Sequence, residues 1–150
     1  MSHCCVFLDR DGVINEKAPP HEHIRSWDEF HFLGNIADWI RIFNTLGYLV
    51  IVVTNQRGLA RESVEEIHGS MIRELSQRGA RIDDVFVCFH EEDSCDCRKP
   101  KPGLVLQAQR KWDLDLAKSL MIGDSDDDAA VAAACGMPFL RTDGCGRFIP

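Results

Sequence analysis

Residues 4–12 read Cys4-Cys5-Val6-Phe7-Leu8-Asp9-Arg10-Asp11-Gly12. Five apolar residues run without a polar break and then give way to three charged ones. A strand covered on both faces has this pattern, with the change of character where the chain leaves the sheet. Tyr48 to Val53 is a second such run, ending at Thr54-Asn55. Val85 to Phe89 is a third, Leu120 to Ile122 a fourth that ends at Gly123-Asp124, and Phe139-Leu140 a short fifth.

Between these runs the period changes. Ile36, Trp39, Ile40, Phe43 and Leu46 recur at helical spacing, and Gly47 is placed to stop that helix. Ser63 with Glu66 fits a capping box opening a helix that carries Ile67, Met71 and Leu75 on one face, with Gly79 closing it. Pro102-Gly103 leads into a helix reaching about Trp112. Residues 126–135 are rich in Ala and Asp and read as a last helix, stopped by Gly136. Residues 12–33 show no clear period and read as an extended loop or small flap.

Strands alternating with helices predict an α/β fold: a parallel sheet with helices on both faces. No repeat or linker interrupts the pattern, so residues 1–150 form one domain. Only a loop and a helix separate the second strand from the third, which leaves no room for a large lid. In such sheets ligands bind beyond the carboxyl ends of the strands. The groups to examine are therefore Asp9 to Gly12, Thr54-Asn55, the Cys/His loop after the third strand, and Gly123-Asp124.

The 150 residues are 45% hydrophobic and 27% charged, ordinary globular values, with a formal net charge of -7. That balance, with no basic stripe, disfavours nucleic acid and anionic membranes as partners. No apolar stretch is long enough to span a bilayer, and Met1-Ser2-His3 does not open a secretory signal. A cytoplasmic monomer acting on a small substrate is the expectation. Seven cysteines without regular spacing do not suggest a disulfide framework. Cys4, Cys5 and Cys135 read as buried thiols.

Asp9, Asp11 and Asp124 stand at strand ends predicted to lie side by side. Carboxylates this close repel unless a cation sits between them, and oxygen ligands around an open position suit Mg²⁺. Asp-x-Asp-Gly alone would fit a solvated acidic turn equally well; the third strand-end carboxylate favours the metal. Thr54 offers a hydroxyl and Lys99 a positive charge to a phosphoryl group. Cys88-x-His90 and Cys95-x-Cys97 supply three thiolates and one imidazole. That set suits tetrahedral Zn²⁺ with no open position, hence a structural zinc; a redox-active cysteine cluster is the alternative. Asp126, Asp127 and Asp128 suit the positive end of the last helix.

Asp-Arg-Asp-Gly-Val-Ile-Asn at 9–15, Val-Val-Thr-Asn at 52–55, Lys99-Pro100, and Gly123-Asp124 with Asp128 resemble, in order, the four motifs of the haloacid dehalogenase (HAD) superfamily. The resemblance covers essentially the whole chain. It implies a capless phosphatase in which Asp9 attacks phosphorus and Asp11 protonates the leaving group, then activates water. By the same resemblance Thr54 and Lys99 hold the phosphoryl oxygens. Mg²⁺ is bound by Asp9, Asp124 and the carbonyl of Asp11, with Asp128 supporting them.

The cysteine loop running into Arg98-Lys99-Pro100-Lys101-Pro102-Gly103 is similar to the heptose-bisphosphate and histidinol-phosphate phosphatases within that superfamily. So is Thr54-Asn55-Gln56 with Gly58-Leu59-Ala60-Arg61. This implies a sugar bisphosphate substrate, with histidinol phosphate the alternative. Asn55, Gln56, Arg57, Arg98 and Ser125 become candidate substrate-binding residues. Arg57 stands where those enzymes usually have a small residue, Ser125 where they commonly have lysine, and only four residues separate His90 from Cys95. Two readings outside this class are a nucleic-acid 3′-phosphatase, opposed by the charge balance, and a non-enzymatic zinc-stabilised module, opposed by the intact set Asp9, Asp11, Thr54, Lys99 and Asp124.

Overall fold

The computed structural model describes residues 1–91 and 94–150. Its elements are β1 (Cys5–Leu8), α1 (Ile36–Thr45), β2 (Leu49–Asn55), α2 (Arg61–Gln77), β3 (Asp84–Cys88), α3 (Gly103–Trp112), β4 (Leu120–Gly123), α4 (Asp126–Ala134), β5 (Phe139–Thr142) and β6 (Phe148–Ile149). Six strands form one sheet in the order β3-β2-β1-β4-β5-β6. The first five are parallel, and β6 turns back antiparallel on β5.

The period of two within each strand divides the core. Val6, Leu8, Val50 and Val52 face α1 and α2, where Ile40, Ile67, Met71 and Leu75 cover them. Cys5, Phe7, Ile51 and Val53 face α3 and α4, where Leu104, Val105, Ala108 and Val131 cover them. All four residues of β1 are 0% exposed, which is why the run shows no alternation in sequence.

Some boundaries differ from the sequence expectation. α2 begins at Arg61, and Ser63 lies inside its first turn rather than capping it. The reason is the apolar stripe, which starts with buried Val64; the Val64 N–H bonds the Ala60 carbonyl at 3.1 Å, so the helix must already exist there. β6 was not expected at all. Residues 12–33 are more than a flap: Ile24, Phe30 and Leu33 are buried, and Trp27, Phe30 and Phe32 pack ring against ring. Cys5 is buried as expected, whereas Cys4 and Cys135 are half-buried.

The sheet order places the site. From β1 the chain crosses to β2 on one side, and β4 lies on the other, so a crevice opens beyond the carboxyl ends of β1 and β4. Asp9 and Asp124 are the residues that follow those ends. The Asp9 N–H bonds the Ile122 carbonyl at 3.0 Å and locks the two strand ends together.

Candidate active site

The centre of the site is a buried ammonium. Lys99 is 5% exposed, and its Nζ donates to Asp9 Oδ1 at 2.8 Å, Asp128 Oδ1 at 2.7 Å and the Val53 carbonyl at 3.1 Å. Three donors thus meet three acceptors, the condition for burying such a group. Burial works to lower the Lys99 pKa, but the carboxylates of Asp9 and Asp128 outweigh it and hold the ammonium charged. Burial also pushes the Asp9 carboxyl up to about 8, with Asp128 and Asp11 adding to the rise and Lys99 opposing it. A divalent cation would act in the same direction as Lys99.

Lys99 is placed by Asn55. The Asn55 side chain donates to the Lys99 carbonyl at 3.2 Å and accepts from the Lys99 N–H at 3.1 Å. The end of β2 therefore fixes the backbone on both sides of the lysine.

Asp11 is held from four directions. Its Oδ1 accepts from Arg10 Nε at 3.2 Å, Arg10 Nη2 at 2.7 Å and Asn15 Nδ2 at 2.9 Å, and its Oδ2 accepts from Gln56 Nε2 at 2.9 Å. Burial raises the Asp11 pKa, but Arg10 and the hydrogen bonds from Asn15, Arg10 and Gln56 bring it below the usual carboxylate range. Gln56 also donates to Thr54 Oγ1 at 2.9 Å. Arg10 itself is 0% exposed; its Nη1 lies 3.2 Å from His68 Nε2 on α2, and its guanidinium sits over Phe30. Burial first and the Arg10 charge second push the His68 pKa down to about 4. His68 is thus neutral, with Nε2 accepting the arginine N–H.

On the β4 side, Asp128 Oδ2 accepts from the Asp124 N–H at 3.2 Å and from Ser125 Oγ at 2.9 Å, while the Asp128 N–H bonds Ser125 Oγ at 3.2 Å. Ser125 is the N-cap of α4. Gly123 makes the approach possible, since a Cβ there would lie 2.4 Å from Asp128 Oδ2. Carboxylate oxygens of Asp9, Asp124 and Asp128 come within 4.8 Å of one another. Three oxygen donors converging on one point fit a hard cation such as Mg²⁺.

The second cluster is Cys88, His90, Cys95 and Cys97. Cys88 Sγ lies 3.5 Å from His90 Nδ1, 3.6 Å from Cys95 Sγ and 3.1 Å from Cys97 Sγ, and His90 Nδ1 lies 3.2 Å from Cys97 Sγ. A tetrahedral zinc with thiolates at about 2.3 Å has ligand–ligand edges of about 3.8 Å, so this donor set fits the ion. The Arg98 N–H points at Cys95 Sγ at 3.4 Å, the outer hydrogen bond that metal thiolates take. Gly103 seats the loop on α3, for a Cβ there would lie 2.2 Å from the Asp96 carbonyl oxygen. Residues 92 and 93 of the four-residue spacer lie outside the described residues.

Several of the candidate side chains have partners within the protein. The Asp11 carboxylate faces Arg10, Asn15 and Gln56 rather than joining the carboxylate cluster, where Asp128 stands with Asp9 and Asp124. Asn55 brackets Lys99, Gln56 bridges Asp11 to Thr54, and the Ser125 hydroxyl caps α4. Arg57 pairs with Glu91 of the cysteine loop at 3.5 Å. Arg98 is half-buried beside Lys99. Sequence reading missed Arg10 and His68. The helical stripe Val64, Ile67, His68, Met71 was the available signal for His68; Arg10 carried none, because charge beside two aspartates looks solvated.

Buried Asp and Lys side chains at the switch point of a parallel sheet, beside a carboxylate cluster, suit a phosphohydrolase site. Residues 96–143 match the HAD-hydrolase-like family model. The D-glycero-β-D-manno-heptose-1,7-bisphosphate 7-phosphatase of Rhodopseudomonas palustris is 38% identical over 152 residues, covering 93% of this chain and 83% of that protein. The enzyme of the same name from Escherichia coli K12 is 36% identical over 154 residues, covering 93% and 79%. Among solved structures, the D,D-heptose 1,7-bisphosphate phosphatase of B. bronchiseptica, complexed with magnesium and phosphate, superposes with a TM-score of 0.83 at 33% identity, covering 91% of this chain and 78% of that one. The chain belongs to the haloacid dehalogenase superfamily of phosphatases, in the family of these heptose-bisphosphate enzymes.

Proposed function

We propose that this phosphatase removes the 7-phosphate of D-glycero-β-D-manno-heptose 1,7-bisphosphate, with Mg²⁺ at Asp9, Asp124 and the Asp11 carbonyl, backed by Asp128. The observation that carries the chemistry is the Lys99 ammonium shared between Asp9 and Asp128. It stands where negative charge gathers when a phosphoryl group meets Asp9. The likeness to the heptose enzymes carries the substrate.

A carboxylate oxygen of Asp9 attacks phosphorus, the bond from phosphorus to the sugar oxygen breaks, and Asp11 gives that oxygen its proton. Water then attacks the phosphorus of the aspartyl phosphate, Asp11 takes the water's proton, and the Asp9 oxygen leaves, releasing inorganic phosphate. Arg10 and the hydrogen bonds to Asp11 hold it ionised in the free site, and an arriving phosphate dianion, opposing Arg10, raises the proton affinity that both halves need. When bound, Mg²⁺ neutralises the phosphoryl oxygens. Thr54 and Lys99 hold those oxygens in place.

Zinc at Cys88, His90, Cys95 and Cys97 orders the segment that presents Arg98 and Lys99. Arg98 and Arg57 lie on that side and are assigned to the non-transferred phosphate. An exposed ion pair such as Arg57–Glu91 is weak and yields readily to a phosphate dianion. A sugar phosphate substrate supports a role in carbohydrate metabolism, with the cytoplasm as the compartment assigned to it. Phosphate release from the heptose bisphosphate, histidinol phosphate and a 3′-phosphorylated oligonucleotide, compared by kcat/KM, tests the proposal. A preference for either of the last two would refute it.

A further inference from the structure

Lys17 lies outside every motif named above, yet its Nζ meets Asp124 Oδ2 at 2.5 Å. The Asp124 side chain is 3% exposed and that of Lys17 is 54% exposed, so a solvent-facing stem delivers a charge to a buried carboxylate. Gly12 makes this contact possible. With φ of +88°, it has no Cβ where one would lie 2.3 Å from Asp124 Oδ2 and 2.8 Å from Lys17 Cε. The base of the stem is fixed, because the neighbouring Glu16 N–H bonds the His31 carbonyl at 2.9 Å. Lys17 and Asp124 also share a cavity of about 660 Å³ with Glu16, Phe32 and Asp143.

We infer that Lys17 is a positioning residue of the phosphoryl site, a tethered cation that weakens divalent-metal binding at Asp124 and strengthens binding of the phosphoryl dianion. This rests on the reading of Asp9, Asp124 and Asp128 as the carboxylates of the metal site. With all three ionised, as a bound divalent cation would hold them, those carboxylates face two ammonium groups, Lys99 and Lys17, which leaves one net negative charge. Without Lys17 two would remain. A divalent cation gains from the extra negative charge, whereas a dianion that follows it loses. Among the described residues no other cation meets this carboxylate: Arg141 donates to the Asp124 backbone carbonyl at 3.3 Å and to the Asp126 carboxylate at 2.7 Å. Lys99 is held elsewhere by Asp9, Asp128 and Val53.

The test is calorimetric titration of Mg²⁺ into the full chain, followed by inorganic phosphate at saturating Mg²⁺, for wild type, Lys17→Met and Lys17→Arg. Lys17→Met should bind Mg²⁺ about five- to tenfold tighter and inorganic phosphate about five- to tenfold weaker. Lys17→Arg, which keeps the charge, should stay within about twofold of wild type on both. A residue that only braced the fold would weaken both ligands together. Unchanged or weaker Mg²⁺ binding by Lys17→Met, or unchanged phosphate binding, overturns the inference. Wild type with no Mg²⁺ affinity would overturn the metal site as well, so the two failures are distinguishable.

Discussion

Asn55 and Lys99 are 44 residues apart in sequence, yet one side chain is bonded to both the N–H and the carbonyl of the other's backbone. The end of β2 thereby sets where the lysine begins its reach to Asp9. Asn55→Ala should free that segment and lower kcat about 10- to 100-fold, the scale for a misplaced catalytic group. Melting temperature should fall only modestly, since neither residue belongs to the two apolar clusters that flank the sheet. Steady-state kinetics with the sugar bisphosphate check this. A change in KM alone would mean that Asn55 touches substrate and does not hold Lys99.

Ser125 and Asp128 separate a cap from a charge partner. Ser125→Ala removes the N-cap of α4 and should cost about 1 kcal/mol of stability, with kcat within a few-fold of wild type. Asp128→Ala leaves Lys99 buried with Asp9 as its one side-chain acceptor among the described residues and should cost about 3–5 kcal/mol or prevent folding. Asp128→Asn keeps the shape and should fold while losing activity. Urea denaturation beside kinetics distinguishes these outcomes.

His68 predicts a pH dependence of stability. Its native pKa is depressed to about 4 from 6.5 by burial and by Arg10. Between those values the unfolded chain binds a proton that the native protein does not. Stability from this source is therefore intact above pH 6.5 and is lost as pH falls towards 4. Wild type should lose about 2 kcal/mol more than His68→Gln between pH 7 and pH 5. Gln keeps an acceptor for Arg10 without titrating. Parallel losses in the two proteins would contradict a neutral buried His68.

The cysteine cluster predicts about one zinc per chain by element analysis. Cys95→Ser should raise KM and lower kcat together, because the loop runs directly into Arg98 and Lys99. The sheet should remain folded, since its cores flank β1, β2 and β4. Zinc-free protein, or unchanged kinetics in the variant, would contradict a structural zinc.

What the sequence revealed depended on how local each signal was. β1 and β2 were legible because burial on both faces produces unbroken apolar runs, and the strand-end rule then brought Asp9, Thr54 and Asp124 together. β6 has two residues, too short for any period. The α2 start was misplaced because Ser63 and Glu66 mimic a cap, while the true start follows from the packing of Val64. Arg10 could not be recognised: its burial depends on His68 and Phe30, which reach it from distant segments. Asn55, Gln56 and Ser125 became substrate-binding candidates through the resemblance; their hydrogen bonds to Lys99, Asp11 and Asp128 had no signal in the sequence, because those partners come from distant segments or depend on the fold of the α4 start.

The account turns on Asp9 as the nucleophile, and Asp9→Asn tests it most directly. The amide keeps the shape and can still accept from Lys99, but it cannot form the aspartyl phosphate. With the heptose bisphosphate and saturating Mg²⁺, kcat should fall by at least about 10³-fold, the scale for losing a covalent catalyst, while the protein stays folded. Residual turnover above about 1% of wild type in a folded Asp9→Asn protein would contradict the account.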